Sequence, residues 1–177
     1  NQITGFHAAA MARPSTYGYP GLQPEGAIAL IGPSNPDDMV RHPAFYKEKG
    51  VRYIFDPSQQ LPILSGSQLE SCIDGAYLLV GNDYEIQLIQ SLTGRSKEEL
   101  VEMTLRGLVT TYGEQGSVVM EKRAAAERTV AAVPVRLVVD PTGAGDAHTA
   151  GQFMGILLAH HLPDRARHGT YCAAYRT

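Results

Sequence analysis

The sequence predicts an α/β fold in which helices pack on the faces of a mostly parallel sheet. Three observations predict it. Short apolar runs alternate with helix-length segments across residues 27–80, joined by brief turns, which is the pattern of strand, crossover helix and parallel strand. Those runs place apolar residues at consecutive positions, as strands buried on both faces do. Finally, Val138 and Val139 enter a glycine-spaced turn that runs into a helix-compatible stretch at 147–160. Crossovers between such strands are right-handed. With 177 residues, of which 44% are hydrophobic and 19% charged, the chain reads as one domain, 1–177, able to bury a core.

Each element has a local reason. Residues 12–25 hold Pro14, Gly18, Pro20, Gly21 and Pro24, the punctuation of a loop. The apolar run 27–31 is a strand, stopped by Gly32-Pro33-Ser34-Asn35-Pro36. Asn35 caps the next helix and Pro36 takes its first position. That helix runs to Lys49 with Met39, Val40, Ala44 and Phe45 turned inward, and Gly50 closes it before a strand at 51–55. A polar cluster follows, Asp56-Pro57-Ser58-Gln59-Gln60, at the carboxyl end of that strand, where open α/β sheets bind ligands. An ordinary Asp-Pro turn with solvated glutamines explains the same residues.

A helix at 67–73 leads to a strand at 77–80 and then to Gly81-Asn82-Asp83-Tyr84-Glu85. Asn82 and Glu85 have the spacing of a capping pair, and at that spacing they can also face one cleft. Helices at 86–92 and 96–103 come next, the second opened by the capping box Ser96 to Glu99. A strand at 105–111 passes through Thr111-Tyr112-Gly113-Glu114-Gln115-Gly116 into a strand at 118–121, which by spacing alone is a hairpin. Residues 128–133 form another strand, and Pro134 leads into the strand that feeds Asp140. The helix after the turn starts with small residues, Ala147, Thr149, Ala150 and Gly151, suited to close approach to the sheet or to a nucleotide. His148 reads as a packing or surface residue, since no ligand partner stands at i+4. A last helix covers 163–175.

The most informative stretch is Val138-Val139-Asp140-Pro141-Thr142-Gly143-Ala144-Gly145-Asp146. Gly143 and Gly145 can adopt positive φ and put no Cβ in the way, so successive N–H groups can converge on an anion at a helix N-terminus. Pro141 biases Asp140 toward an extended conformation and delays the helix. Asp146 falls in the first helical turn. A carboxylate there repels a bound phosphate, but it suits removing a proton from a hydroxyl that attacks the phosphate. The alternative is a strand-to-helix turn whose Asp serves only the helix dipole. A nucleotide P-loop is excluded by the missing Gly-Lys-Ser/Thr, and the dinucleotide fingerprint would need glycine where His148 stands.

Composition narrows the partners. A net charge of −3 with no basic run argues against nucleic acid. Cys72 and Cys172 match no metal or redox spacing, so reduced thiols are expected. No apolar run reaches the roughly 20 residues of a membrane span, and no signal peptide is evident. The chain therefore reads as a soluble cytoplasmic protein.

Residues 140–147 resemble the second signature of the ribokinase, or PfkB, family of carbohydrate and nucleoside kinases, Asp-Thr/Pro-Thr-Gly-Ala-Gly-Asp-Ala-Phe, with His148 in place of Phe. Further segments resemble the family in order: 1–11, with Ala8 and Ala9 replacing a Pro-Gly pair, then 56–60, the Asn-x-x-Glu of Asn82 and Glu85, and 111–116. The resemblance implies a ribokinase-like three-layer α/β/α sandwich and an ATP-dependent phosphotransferase using Mg²⁺. Asp146 would then be the catalytic base, and the amides of Gly143, Ala144 and Gly145 an anion hole. Asn82, Thr111, Gly113 and Gly116 would contact the nucleotide, and Glu85 would hold Mg²⁺ largely through water. Asp140 and Thr142 are candidates for a monovalent cation such as K⁺. Sugar kinases of the family carry Asn and Arg where this chain has Ser58 and Gln60. The Asp-Pro-Ser-Gln-Gln form is similar to actinobacterial-type adenosine kinases, which makes Gln59 and Gln60 candidates for the nucleoside. Adenosine, or another small hydroxyl-bearing substrate, is the implied acceptor; ribose, and a non-catalytic nucleotide-binding remnant, are the rival readings. The family's Gly-Gly motif and small β-sheet lid are not among these residues, and both ends look cut, so a fragment of a longer kinase is expected, with a homodimer as the candidate assembly.

Overall fold

The computed structural model describes residues 7–124, 127–135, 137–138, 140–158 and 160–176. Six strands form one sheet in sequence order: β1 (Ile28–Ile31), β2 (Arg52–Phe55), β3 (Leu78–Asn82), β4 (Gly107–Thr111), β5 (Ser117–Glu121) and β6 (Arg128–Val130). The first four run parallel, with Ile31 opposite Phe55, Phe55 opposite Leu79, and Asn82 opposite Thr111. β5 and β6 return antiparallel. Parallel pairing therefore brings Asp56, Asn82 and Thr111 to the same end of the sheet.

Alternating side chains supply two cores. On one face Tyr53, Phe55, Leu79 and Leu108 pack with Met39 and Tyr46 of α1 (Pro36–Lys49), Leu69 and Ile73 of α2 (Gly66–Ile73), Ile86 and Ile89 of α3 (Asp83–Thr93), and Leu100 of α4 (Lys97–Met103). On the other, Ile54, Leu78, Val80, Val109 and Val119 meet Ile156 of α5 (Ala144–Leu157) and Ala166 of α6 (Leu162–Arg176). The three layers expected of the ribokinase-like fold are thus present. Burying each Leu, Ile or Phe contributes about 1.5–3 kcal/mol, which is why consecutive apolar residues specify a doubly covered strand.

Helix ends follow the expected chemistry. The Asn35 side chain accepts from the amides of Asp37 and Asp38, and Gly50 closes α1 at φ 69°. Ser96 and Glu99 form the expected capping box, and Ser65 with Gln68 forms a second one at the start of α2. Other expectations change. Ala44 is exposed, because Met39, Pro43 and Tyr46 occupy the inward stripe of α1. Ser58–Ile63 is a 3₁₀ helix rather than a loose turn, with Ser58 at φ 45°. β6 ends at Val130 instead of 133. The strand expected to feed Asp140 is not formed among the described residues 131–135, 137, 138 and 140, and Leu137 and Val138 are 73% and 52% exposed. Pro134 lacks an N–H, and a strand needs a ladder to satisfy its backbone. Residues 1–6 and Val139, part of the segments that carried the family resemblance, lie outside the described residues.

The glycines of α5 serve a purpose different from the one expected. A Cβ at Gly151 would come within 2.7 Å of Gly169 Cα on α6, and one at Gly155 within 2.8 Å of Arg165 Cγ. The close approach is therefore helix to helix. Arg165 ties the pair to the sheet by donating to Tyr77 Oη at 3.0 Å and to the His160 carbonyl at 2.6 Å. The His160 ring lies 2.9 Å from His168, nitrogen to nitrogen, a contact between α6 and the turn preceding it.

Candidate active site

The glycine-spaced turn delivers α5 to the carboxyl end of the sheet. Gly143 is its N-cap residue at φ 82°, ψ 5°, a left-handed conformation that favours glycine, and α5 begins with the next residue. Gly145 does not share that conformation; it stands inside the first helical turn, where an added Cβ would meet no protein atom within 4 Å. The amide of Ala144 donates to the Pro141 carbonyl at 3.1 Å, so it is held within the turn. This changes the expected anion hole: the N–H groups that face no recorded partner among the described residues are those of Gly143, Gly145 and Asp146. They lie at the positive end of a helix of 14 residues, where backbone donors and dipole act together.

A cleft of about 490 Å³ opens at this turn. It is lined by Thr111, Gly113 and Gly116 from the β4–β5 hairpin, by Ala144 and Gly145 of α5, and by Thr170 of α6, among others. The structure thus brings three of the expected nucleotide residues together with the anion turn. Gly116 has an additional reason to be glycine: at φ 92° a Cβ would lie 2.1 Å from the Val130 carbonyl oxygen. Gly113, at φ 57°, has open space around its α-carbon.

Across the sheet end stand three carboxylates. Asp56, directly after β2, accepts a hydrogen bond of 2.7 Å from Thr149 Oγ1 of α5. Burial pushes its pKa up to about 6; the Thr149 bond opposes that, and the carboxylates of Glu85 and Asp146 add to it, so all three act on one space. Glu85 and Asn82 form a reciprocal capping box, each backbone amide donating to the other's side chain at 2.8 Å. Capping and cleft-facing readings are therefore compatible: Glu85 Oε2 is engaged by the helix start, and Oε1 is not. Among the described residues no three His, Cys, Asp or Glu side chains gather closely enough to enclose a metal ion. Glu85 would be the single expected carboxylate for a Mg²⁺ ion, which takes one or two carboxylates beside waters and phosphate oxygens.

Other expected residues sit less centrally. Gln60 donates its amide to the Ser34 carbonyl at 3.0 Å, bracing the β1–α1 turn, while Gln59 is exposed beside it. Asp140 Oδ1 accepts from the Thr142 amide at 2.9 Å in an exposed Asx turn that shapes the approach to Gly143. His148 is 5% exposed and packs against Gly169, in keeping with a packing role. Burial lowers its pKa to about 4, and its Nδ1 lies 3.0 Å from Gln152 Nε2. Asp56 of the polar cluster and Thr149 of the small-residue stretch have no pairing in the sequence pattern. Their bond joins positions 93 apart in sequence, so no local pattern signals it.

A parallel sheet with a helix start and hairpin glycines meeting at its carboxyl end has the architecture in which open α/β proteins place their ligands. The family model described as pfkB family carbohydrate kinase matches residues 22–177, and the chain belongs to that family. It is 31% identical over 176 residues to a nucleoside kinase of Methanothermobacter thermautotrophicus, covering 99% of this chain and 56% of the relative. The structure of Burkholderia thailandensis nucleoside kinase in complex with inosine superposes with a TM-score of 0.79 at 33% identity, covering 83% of this chain and 47% of that one. The Methanocaldococcus jannaschii nucleoside kinase, an archaeal member of the ribokinase family, gives 0.76 at 25% identity, covering 84% and 48%. The chain spans about half the length of these relatives. Similarity to Arabidopsis thaliana ribokinase, at 18% identity and a TM-score of 0.69 over 83% of this chain and 48% of that one, concerns the fold.

Proposed function

We propose that this chain forms the phosphoryl-transfer half of an ATP-dependent kinase that phosphorylates a hydroxyl of a nucleoside. The observation that carries the reading is the cleft in which Thr111, Gly113 and Gly116 meet the start of α5. A triphosphate lying there would receive the unpartnered N–H groups of Gly143, Gly145 and Asp146, which stabilise negative charge as it builds in the transition state. Asp146, in the first turn of the same helix, is placed to take the proton of an attacking hydroxyl, and its contribution is mainly positional, because an ordinary carboxylate is a weak base. Mg²⁺, when bound, would neutralise phosphate charge, with Glu85 Oε1 the available protein oxygen.

The acceptor assignment rests on two supports. Gln59 stands exposed at the carboxyl end of β2, with an amide able both to donate and to accept toward a base edge or ribose hydroxyl. The relatives at 31% and 33% identity are named nucleoside kinases, one of them bound to inosine. Purine nucleosides, adenosine first and inosine beside it, are the expected acceptors, with ATP and Mg²⁺ as cosubstrates. Comparing kcat/KM for adenosine, inosine and ribose tests this. Both nucleosides should exceed ribose, because the base adds contacts that ribose alone lacks. A ribose value equal to or above both would overturn the nucleoside assignment and leave phosphoryl transfer standing.

A further inference from the structure

Within the proposed phosphoryl-transfer reading, we propose that Asp56 and Thr149 form a positioning bridge that aims Asp146. The need for one is visible at the start of α5. Its N-cap, Gly143, offers no side chain to the helix, and Asp146 has no recorded hydrogen bond among the described residues. Nothing local orients the first turn beyond its own backbone. Thr149 stands three residues after Asp146, on the same helix face. Its hydroxyl is buried, with the residue 2% exposed, and donates to Asp56 Oδ2 at 2.7 Å. Among the described residues no other side-chain hydrogen bond joins α5 to the parallel strands or to the residues directly after them. That bond fastens the start of α5 to the end of β2, beside the packing of His148 and Gly151 on α6.

The choice of residue on β2 also points to function. An Asn or a Ser could accept from Thr149 without charge. Asp56 instead places a half-buried carboxylate close enough to Glu85 and Asp146 to feel both, an arrangement that desolvation and like charges disfavour. Such costs concentrate at sites where geometry serves a reaction. Misplacing a reacting group by about 1 Å can lower a rate on the order of 10²-fold.

The test separates aim from bulk stability. Thr149→Val should lower kcat at least tenfold with the KM for ATP little changed, while Thr149→Ser, which keeps the hydroxyl, retains most of the turnover. In an Asp146→Asn background the same Thr149→Val change should cost nothing further, because the group it aims is already gone. An equal loss in both backgrounds would overturn the bridge, as would no loss in either. Asp56→Asn, whose amide oxygen still accepts from Thr149, should keep more turnover than Asp56→Ala; equal impairment of the two would also overturn it. Backbone amide shifts of residues 144–146 give a readout independent of turnover, moving in Thr149→Val and staying in Thr149→Ser. If the unaltered protein, assayed at its full natural length, transfers no phosphate, the proposed function fails, and those shifts still decide the bridge, unchanged shifts in Thr149→Val overturning it.

Discussion

In the proposed reaction Gly143 and Asp146, three residues apart, have different parts to play. Gly143 needs φ 82°, which a β-branched residue adopts only at a cost of order 1–3 kcal/mol. Gly143→Val should therefore rotate the amides away from the cleft and weaken ATP binding by tenfold or more; an unchanged Kd in calorimetry would remove the turn from the binding site. Asp146→Asn keeps the shape and loses the base. It should leave the ATP Kd within a few fold while turnover falls by roughly 10²–10⁴, the usual span of general-base catalysis. Full turnover would place the base on another residue.

At the scale of elements, the hand-off between α5 and α6 matters most. Gly151 and Gly169 let the helix backbones touch, with 2.7 Å available where a Cβ would stand. Gly151→Leu should force the helices apart and lower stability by about 1–3 kcal/mol, the range of overpacked cores. The melting temperature of the chain reports it, and a value unchanged within error would mean that the pair separates freely. Because α6 also lines the cleft through Thr170, the same substitution should weaken ATP binding even where the chain remains folded. None of the helices among the described residues is long and apolar enough to cross a membrane.

For the whole molecule, the half-buried Asp56 sets a pH dependence. Its folded pKa of about 6 exceeds its unbound value of 3.8, so the folded state holds the proton more tightly than the unfolded state. The stability this confers is complete below about pH 3.8 and is lost as pH rises through 6, leaving a penalty of about 2–3 kcal/mol above it from burial and from the facing carboxylates of Glu85 and Asp146. Asp56→Asn removes this titration. Denaturant unfolding of the ligand-free chain should show the variant gaining on the unaltered protein between pH 4 and pH 7.5; a constant difference would mean that Asp56 titrates normally.

The sequence alone determined the alternation of strands and helices and most helix ends, because caps, proline and glycine act over a few residues: Asn35, Gly50 and Ser96 stand where local chemistry requires them. It also made the turn into α5 legible, since backbone freedom at Gly143 sufficed to place the helix start. Tertiary structure decided the rest. Whether Asn82 and Glu85 merely cap α3 or also face a cleft depends on β3 lying beside β4, which sets Asn82 opposite Thr111. The loss of the strand before Asp140 depends on a ladder partner, and the inward stripe of α1 on which residues the sheet meets. The bond from Asp56 to Thr149 joins two elements whose separation along the chain is 93 residues, and local spacing carries no information about a contact that only the closing of the sheet and helices creates.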